Sequence, residues 1–87
     1  MFWDKSSIDI GMSKTLAKEF DTKKNMCHYN VWQINMIYPE FEKYLGYIKK
    51  GNTMTVHSWL VHNDKIIDPT LVLSGMFADE YLGTPNV

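Results

Sequence analysis

One cysteine in 87 residues rules out an internal disulfide, so nothing in the chain points to an oxidising compartment. Neither sign of charge is in excess. Nine basic residues stand against ten acidic ones, a net charge of -1. That leaves no electrostatic footprint for nucleic acid or for an anionic membrane. No apolar run approaches the ~18 residues of a membrane span. The opening MFWDKSSIDI lacks a basic segment followed by an apolar run, so it does not read as a signal peptide. The expected location is therefore the cytoplasm. There is no internal repeat, no low-complexity stretch and no Gly/Ser-rich linker, which predicts a single domain over residues 1–87.

What is present argues for a folded globule. Apolar residues make up 45% of the chain, with three Trp, five Tyr and four Phe. A chain of this size buries roughly 60–65% of its unfolded surface, enough for one core of modest stability. Two basic pairs, Lys23-Lys24 and Lys49-Lys50, read as solvated loop ends rather than a phosphate site.

Residues 13–20, SKTLAKEF, predict a short helix with Ser13 as its N-cap. Residues 26–37, MCHYNVWQINMI, predict the main helix. Cys27, Asn30, Val31, Ile34 and Ile37 or Tyr38 fall at three- to four-residue spacing on one stripe. Asn25 is placed to cap this helix and Pro39 to end it. YLGYIKK (44–50) and MTVHSWLV (54–61) read as strands joined at Gly51-Asn52, and KIID (65–68) as a third strand after a turn at Asn63-Asp64. Beyond Pro69 the pattern weakens. TLVL would extend the sheet, and FADEYLGTP reads as a turn or short helix with a packed tail. Two helices followed by an antiparallel meander predict an α+β fold.

The stretch HSWLVHNDKIIDPT, residues 57–70, places a histidine and an aspartate in apolar strands. Alternation puts His57, Trp59 and Val61 on one face. With a two-residue turn at Asn63-Asp64, His62 opposes Lys65 and Trp59 opposes Asp68. Asp68 then lies diagonally from His57, about 7–8 Å away at the backbone and within side-chain reach. A turn centred on His62-Asn63 would set the two directly opposite; a one-residue slip would separate them. A carboxylate beside an imidazole fixes its tautomer and stabilises the imidazolium, leaving the other nitrogen for a third group. A polar cross-strand pair that satisfies itself is the bland alternative.

Cys27 supplies a third group. In the first turn of a helix, the dipole and the unpaired N–H groups favour a thiolate, and a neighbouring imidazolium lowers the thiol pKa further. Those N–H groups could also serve a developing oxyanion. The alternative is a buried structural thiol. Cys27, His28, His57 and His62 contain no C-x-x-C or H-x-x-x-H spacing, and His57 and His62 fall on opposite strand faces, so no metal is expected. Trp59 is expected to pack beside the His57 ring, and Trp32 and Tyr38 to line the core. The glycines at 46, 51 and 83 read as backbone accommodation in a strand and at turns.

These residues resemble a known family. HSWLVHNDKIIDPT resembles the His-Ala-Trp … Asp-Pro-Thr block of transglutaminase-like domains, within the papain-like cysteine-protease fold. CHYN at a helix start resembles the nucleophile segment, and YLGYIKK the strand that follows it. EYLGTP resembles the tail of small phage and bacterial members. The resemblance covers roughly residues 25–85, in the order Cys, His, Asp. It implies a minimal core with the nucleophile helix (25–38) packed on a small antiparallel sheet and tail (44–85), after an N-terminal segment (1–24). Cys27 would be the nucleophile, His57 the base and acid, Asp68 the orienting carboxylate. Asn25 and Asn30 are oxyanion or orienting candidates, either of which could simply be a cap and a core-edge amide; Trp59 would line the site.

The implied activity is acyl transfer from an amide or ester, as a protease, deamidase or transglutaminase, without metal or organic cofactor. The short chain lacks many substrate loops, so an open cleft and a protein or peptide substrate are expected. A homo-oligomer is compatible with so small and aromatic a chain. The rival expectation is a small interaction protein that keeps the fold without catalysis, for instance a phage-encoded inhibitor of a host factor.

Overall fold

Polar caps and two tight turns set the element boundaries in the computed structural model, which describes residues 1–86. The fold is α+β. Strand β1 spans Phe2–Asp4, helix α1 Ile10–Phe20, helix α2 Cys27–Ile37, and strands β2, β3, β4 and β5 span Glu42–Lys50, Thr53–His62, Lys65–Ile67 and Glu80–Pro85. One antiparallel sheet holds all five strands in the order β1-β5-β2-β3-β4. No helix among the described residues is long and apolar enough to cross a membrane.

Asp9, not Ser13, caps α1. Its carboxylate accepts the Met12 N–H at 2.9 Å, which starts the helix before the predicted position. Ser13 is instead buried within the first turn. Asn25 does not cap α2 either: it adopts a left-handed conformation, φ 60°, and the capping position falls to Met26, which offers no side-chain bond. The α2 stripe buries Asn30, Val31 and Ile34. Trp32 lies about 100° round the helix from Val31 and is exposed, contrary to its expected core place. Tyr38 does pack, half-buried, against Phe20 and Phe41.

The hairpin at Asn63-Asp64 takes the form the sequence predicts. Both residues have positive φ, 51° and 58°, which matches the right-handed twist of the strands. His62 pairs with Lys65, Val61 with Ile66 and Leu60 with Ile67. That register carries His57 and Asp68 onto one face.

The sheet differs from the predicted meander at its ends. Leu71–Ser74 forms a 3-10 turn rather than a strand, and the expected tail is strand β5, inserted between β1 and β2. Gly46 and Gly83 face each other across β2 and β5. A Cβ on Gly46 would stand 2.1 Å from the Leu82 carbonyl oxygen, so the two strands approach this closely only because both residues lack one. The chain leaving β1 then bridges Ile8 to Ile66 on β4, so the sheet curls until its two edges meet. Trp3 Nε1 donates to Asp64 Oδ1 at 3.0 Å across the same junction.

Curling creates two apolar cores. Trp3, Tyr44, Ile48, Trp59, Val61 and Tyr81 fill the inside of the curl. Leu16, Val31, Ile34, Phe41, Leu60 and Ile67 join the helices to the outer face. Alternation along β3 feeds both: Trp59 and Val61 point in, Leu60 points to the helices.

Candidate active site

Asp68 follows β4 and is fully buried. Its N–H donates to Ser13 Oγ at 2.9 Å, which ties α1 to the site. Oδ1 accepts the N–H groups of Thr70 (3.1 Å) and Leu71 (2.9 Å), the Asx turn that Asp-Pro-Thr forms. Oδ2 accepts the Tyr81 phenol at 2.7 Å and His57 Nε2 at 2.9 Å. The next turn is held too: Thr22 Oγ1 donates to the Pro69 carbonyl at 2.7 Å, and Asn30 Nδ2 to Thr70 Oγ1 at 2.8 Å. The carboxylate thus has a fixed position and no freedom to swing.

His57 lies on β3, only 5% exposed. Its ring stacks on Trp59 with centroids 6.2 Å apart and planes 19° apart, the packing expected of Trp59. With Nε2 on Asp68, Nδ1 is the ring nitrogen left for the Cys27 thiol, which lines the same cleft and lies near enough for each group to shift the other's titration. Burial alone would lower the His57 pKa. The hydrogen bonds to Asp68 and Cys27 and their negative charge outweigh it and raise it from 6.5 to about 9.

Cys27 is the first residue of α2 and is half-buried. Burial pushes its thiol up. The His57 hydrogen bond, the Ser58 and His28 backbone N–H groups and the imidazolium charge more than offset this, and the net direction is down. The His28 ring reaches across to the Ser58 hydroxyl through Nδ1, so α2 is pinned to β3 beside the thiol.

The structure therefore brings Cys27, His57 and Asp68 together as a chain of contacts. The two asparagines fare differently. Asn25 is exposed and lines the cleft beside Cys27. Asn30 is buried, and its amide is committed elsewhere: Nδ2 donates to the Lys23 carbonyl and to Thr70, and Oδ1 accepts the Lys23 N–H. Asn30 fastens the α1–α2 loop and does not face the cleft. Sequence reasoning missed Tyr81, Ser58 and His28. The Asx-turn signature of Asp-Pro-Thr was the one local signal of how Asp68 is held.

The thiol opens into a cleft of about 400 Å³ bounded by Ile48, Thr55, Val56, His57 and Leu71. It is partly open to solvent. Among the described residues no group of three His, Cys, Asp or Glu could hold a metal ion. Comparison with protein-family models, with curated proteins and with solved structures gives no match to this chain. A thiol of lowered pKa, a hydrogen-bonded imidazole and an anchored carboxylate can together form and resolve an acyl-thiol bond.

Proposed function

We propose that the protein is a cysteine-dependent acyl-transfer enzyme with Cys27 as nucleophile, His57 as acid and base, and Asp68 as orienting carboxylate. The observation that carries this reading is a single buried imidazole that holds Asp68 at 2.9 Å on one nitrogen and shares a cleft with the only thiol of the chain. A self-contained polar pair would not need the thiol at a helix start. The transglutaminase-like, papain-like core is part of the same proposal, supported by a nucleophile-bearing helix packed on an antiparallel sheet.

In the proposed reaction the thiolate attacks an amide or ester carbonyl and forms a carbon–sulfur bond. Negative charge on the carbonyl oxygen is met by first-turn N–H groups of α2, which Met26 leaves without a side-chain cap. The Asn25 side chain is the second candidate donor. His57 gives its proton to the leaving group as the carbonyl bond to it breaks. Water or an amine then attacks the thioester, His57 takes the incoming proton, and the thiolate is released. The open cleft suits a protein or peptide substrate.

The test is the rate of iodoacetamide labelling of Cys27 against pH, in wild type and His57→Ala. The expected result is fast labelling well below pH 8 whose onset moves up in the variant. Slow labelling with the onset of an ordinary thiol, unchanged in the variant, would overturn the reading.

One observation favours the rival, a non-catalytic binding protein. Phe2, Leu82, Tyr47 and Val56 pair in register across four strands and form an exposed apolar row on the outer sheet face. Cys27→Ser separates the two: a binder keeps its biological effect, an acyl-transfer enzyme loses it.

A further inference from the structure

The two lysine pairs divide in the fold. Lys23 is held by Asp21 at 2.7 Å. Lys49 lies against Asp79, whose N–H donates to the Lys49 carbonyl at 2.8 Å and whose carboxylate pairs with Lys5 at 3.6 Å. The other member of each pair, Lys24 and Lys50, lines the cleft that holds Cys27 and His57. Among the described residues neither has an ion-pair partner, and no Asp or Glu lines that cleft. Alternation explains the division on β2: Lys50 shares the face of Ile48 and Gly46, and Gly46 pairs with His57. Lys50 is half-buried, so its stem lies along the cleft wall. Four residues of strand separate it from the His57 level, about 13 Å at the backbone.

We infer that Lys24 and Lys50 form an anion subsite of this cleft, which selects acyl donors carrying a carboxylate one or two residues from the carbonyl that Cys27 attacks. The inference rests on the reading of Cys27 as the nucleophile. The ligand it names is an acidic peptide segment. Two cations on a chain of net charge -1 meet one or two carboxylates; they do not make a track for a polyanion. The distance fits too, because two residues of extended peptide span roughly 7 Å and the lysine side chain covers part of the remainder.

The experiment uses two thiol-reactive probes, chloroacetyl-Gly-Glu-amide and chloroacetyl-Gly-Gln-amide, which differ in one charge. Rates of Cys27 alkylation are followed by intact mass. At low ionic strength the Glu probe is expected to react about three- to tenfold faster than the Gln probe, and the preference to vanish in 0.5 M salt (roughly a 4 Å screening length). Read as the ratio of Glu-probe to Gln-probe rates within each variant, the preference should also vanish in Lys24→Gln/Lys50→Gln and invert in Lys50→Glu. Equal rates for both probes in a fast-labelling wild type would overturn the subsite and leave the nucleophile standing. Slow labelling by both, indifferent to His57→Ala, would overturn the nucleophile and with it the subsite.

Discussion

Tyr81 donates its phenol hydrogen to Asp68 Oδ2 at 2.7 Å, on the same oxygen that takes His57 at 2.9 Å. Burial, the Asp68 charge and this bond all raise the Tyr81 pKa, so the phenol remains a neutral donor across the working range. Tyr81 also packs its ring edge on Trp59 with centroids 5.1 Å apart. One strand thus fixes both the carboxylate and the wall behind the imidazole.

Tyr81→Phe tests the polar half of that role alone. The ring is kept, and one donor to a buried carboxylate is lost. Stability is expected to fall by about 1–3 kcal/mol in urea unfolding. The His57 bond survives, so the low-pH onset of Cys27 labelling should persist. A variant as stable as wild type would show that the phenol bond is not formed in solution.

The coupled titration of Cys27 and His57 predicts how stability varies with pH. His57 has a folded pKa of about 9, above its ordinary 6.5, so its contribution is complete below 6.5 and is lost as pH rises through about 9. Cys27 runs the other way. Its folded pKa is lowered, so its contribution is present above the ordinary thiol range and lost as pH falls through the folded value. Between these limits the two oppose, which flattens the wild-type profile. Cys27→Ser removes one of them, and the part of the His57 shift due to Asp68 remains. Urea midpoints at pH 6, 7.5 and 9 should therefore fall more steeply in Cys27→Ser than in wild type. Parallel profiles would mean that the thiol and imidazole do not share a proton.

The legible part of the site was the part set by short-range rules. Asn63-Asp64 is a two-residue turn with a fixed register, so the face shared by His57 and Asp68 followed from counting along β3 and β4. Pro39 ended α2 for an equally local reason. The illegible parts depend on distant contacts. Strand β1 is three residues long and forms only against β5. In β5 the Gly-Thr-Pro that reads as a break is where Gly83 lets the strand lie on Gly46. Asn25 and Asn30 are both good caps by residue type. One turned left-handed, and the other found its partners at Lys23 and at Thr70, forty residues away. Lys24 and Lys50 meet the cleft for the same reason, since no local pattern links them.

His28 and Ser58 give a prediction about positioning. Their side chains join α2 to β3, while their backbone N–H groups help to lower the Cys27 thiol pKa. Ser58→Ala keeps the backbone donors and removes the clamp. The expected stability loss is about 1 kcal/mol. The onset of thiol labelling should move up in pH, towards but not reaching that of His57→Ala. If Ser58→Ala lost stability and kept the wild-type onset, the clamp would be structural only.

Gly46 offers the sharpest test of how the curled sheet serves the site. An added Cβ would lie 2.1 Å from the Leu82 oxygen and 2.5 Å from the Gly83 Cα, both of them backbone atoms that no rotamer change can move. Gly46→Ala must therefore push β5 from β2. The expected cost is about 3 kcal/mol or more, at the upper end of overpacking penalties. Because β5 carries Tyr81, displacement also loosens Asp68 and, through it, His57, so labelling of Cys27 should slow and its onset rise. Gly11→Ala is the matched control. Gly11 sits in the first turn of α1 with only the Asp9 side chain within 4 Å, at 3.8 Å, and the change should raise stability by up to about 1 kcal/mol without altering labelling. Equal behaviour of the two variants would refute the close approach of β2 and β5 as the device that sets Tyr81 against Asp68.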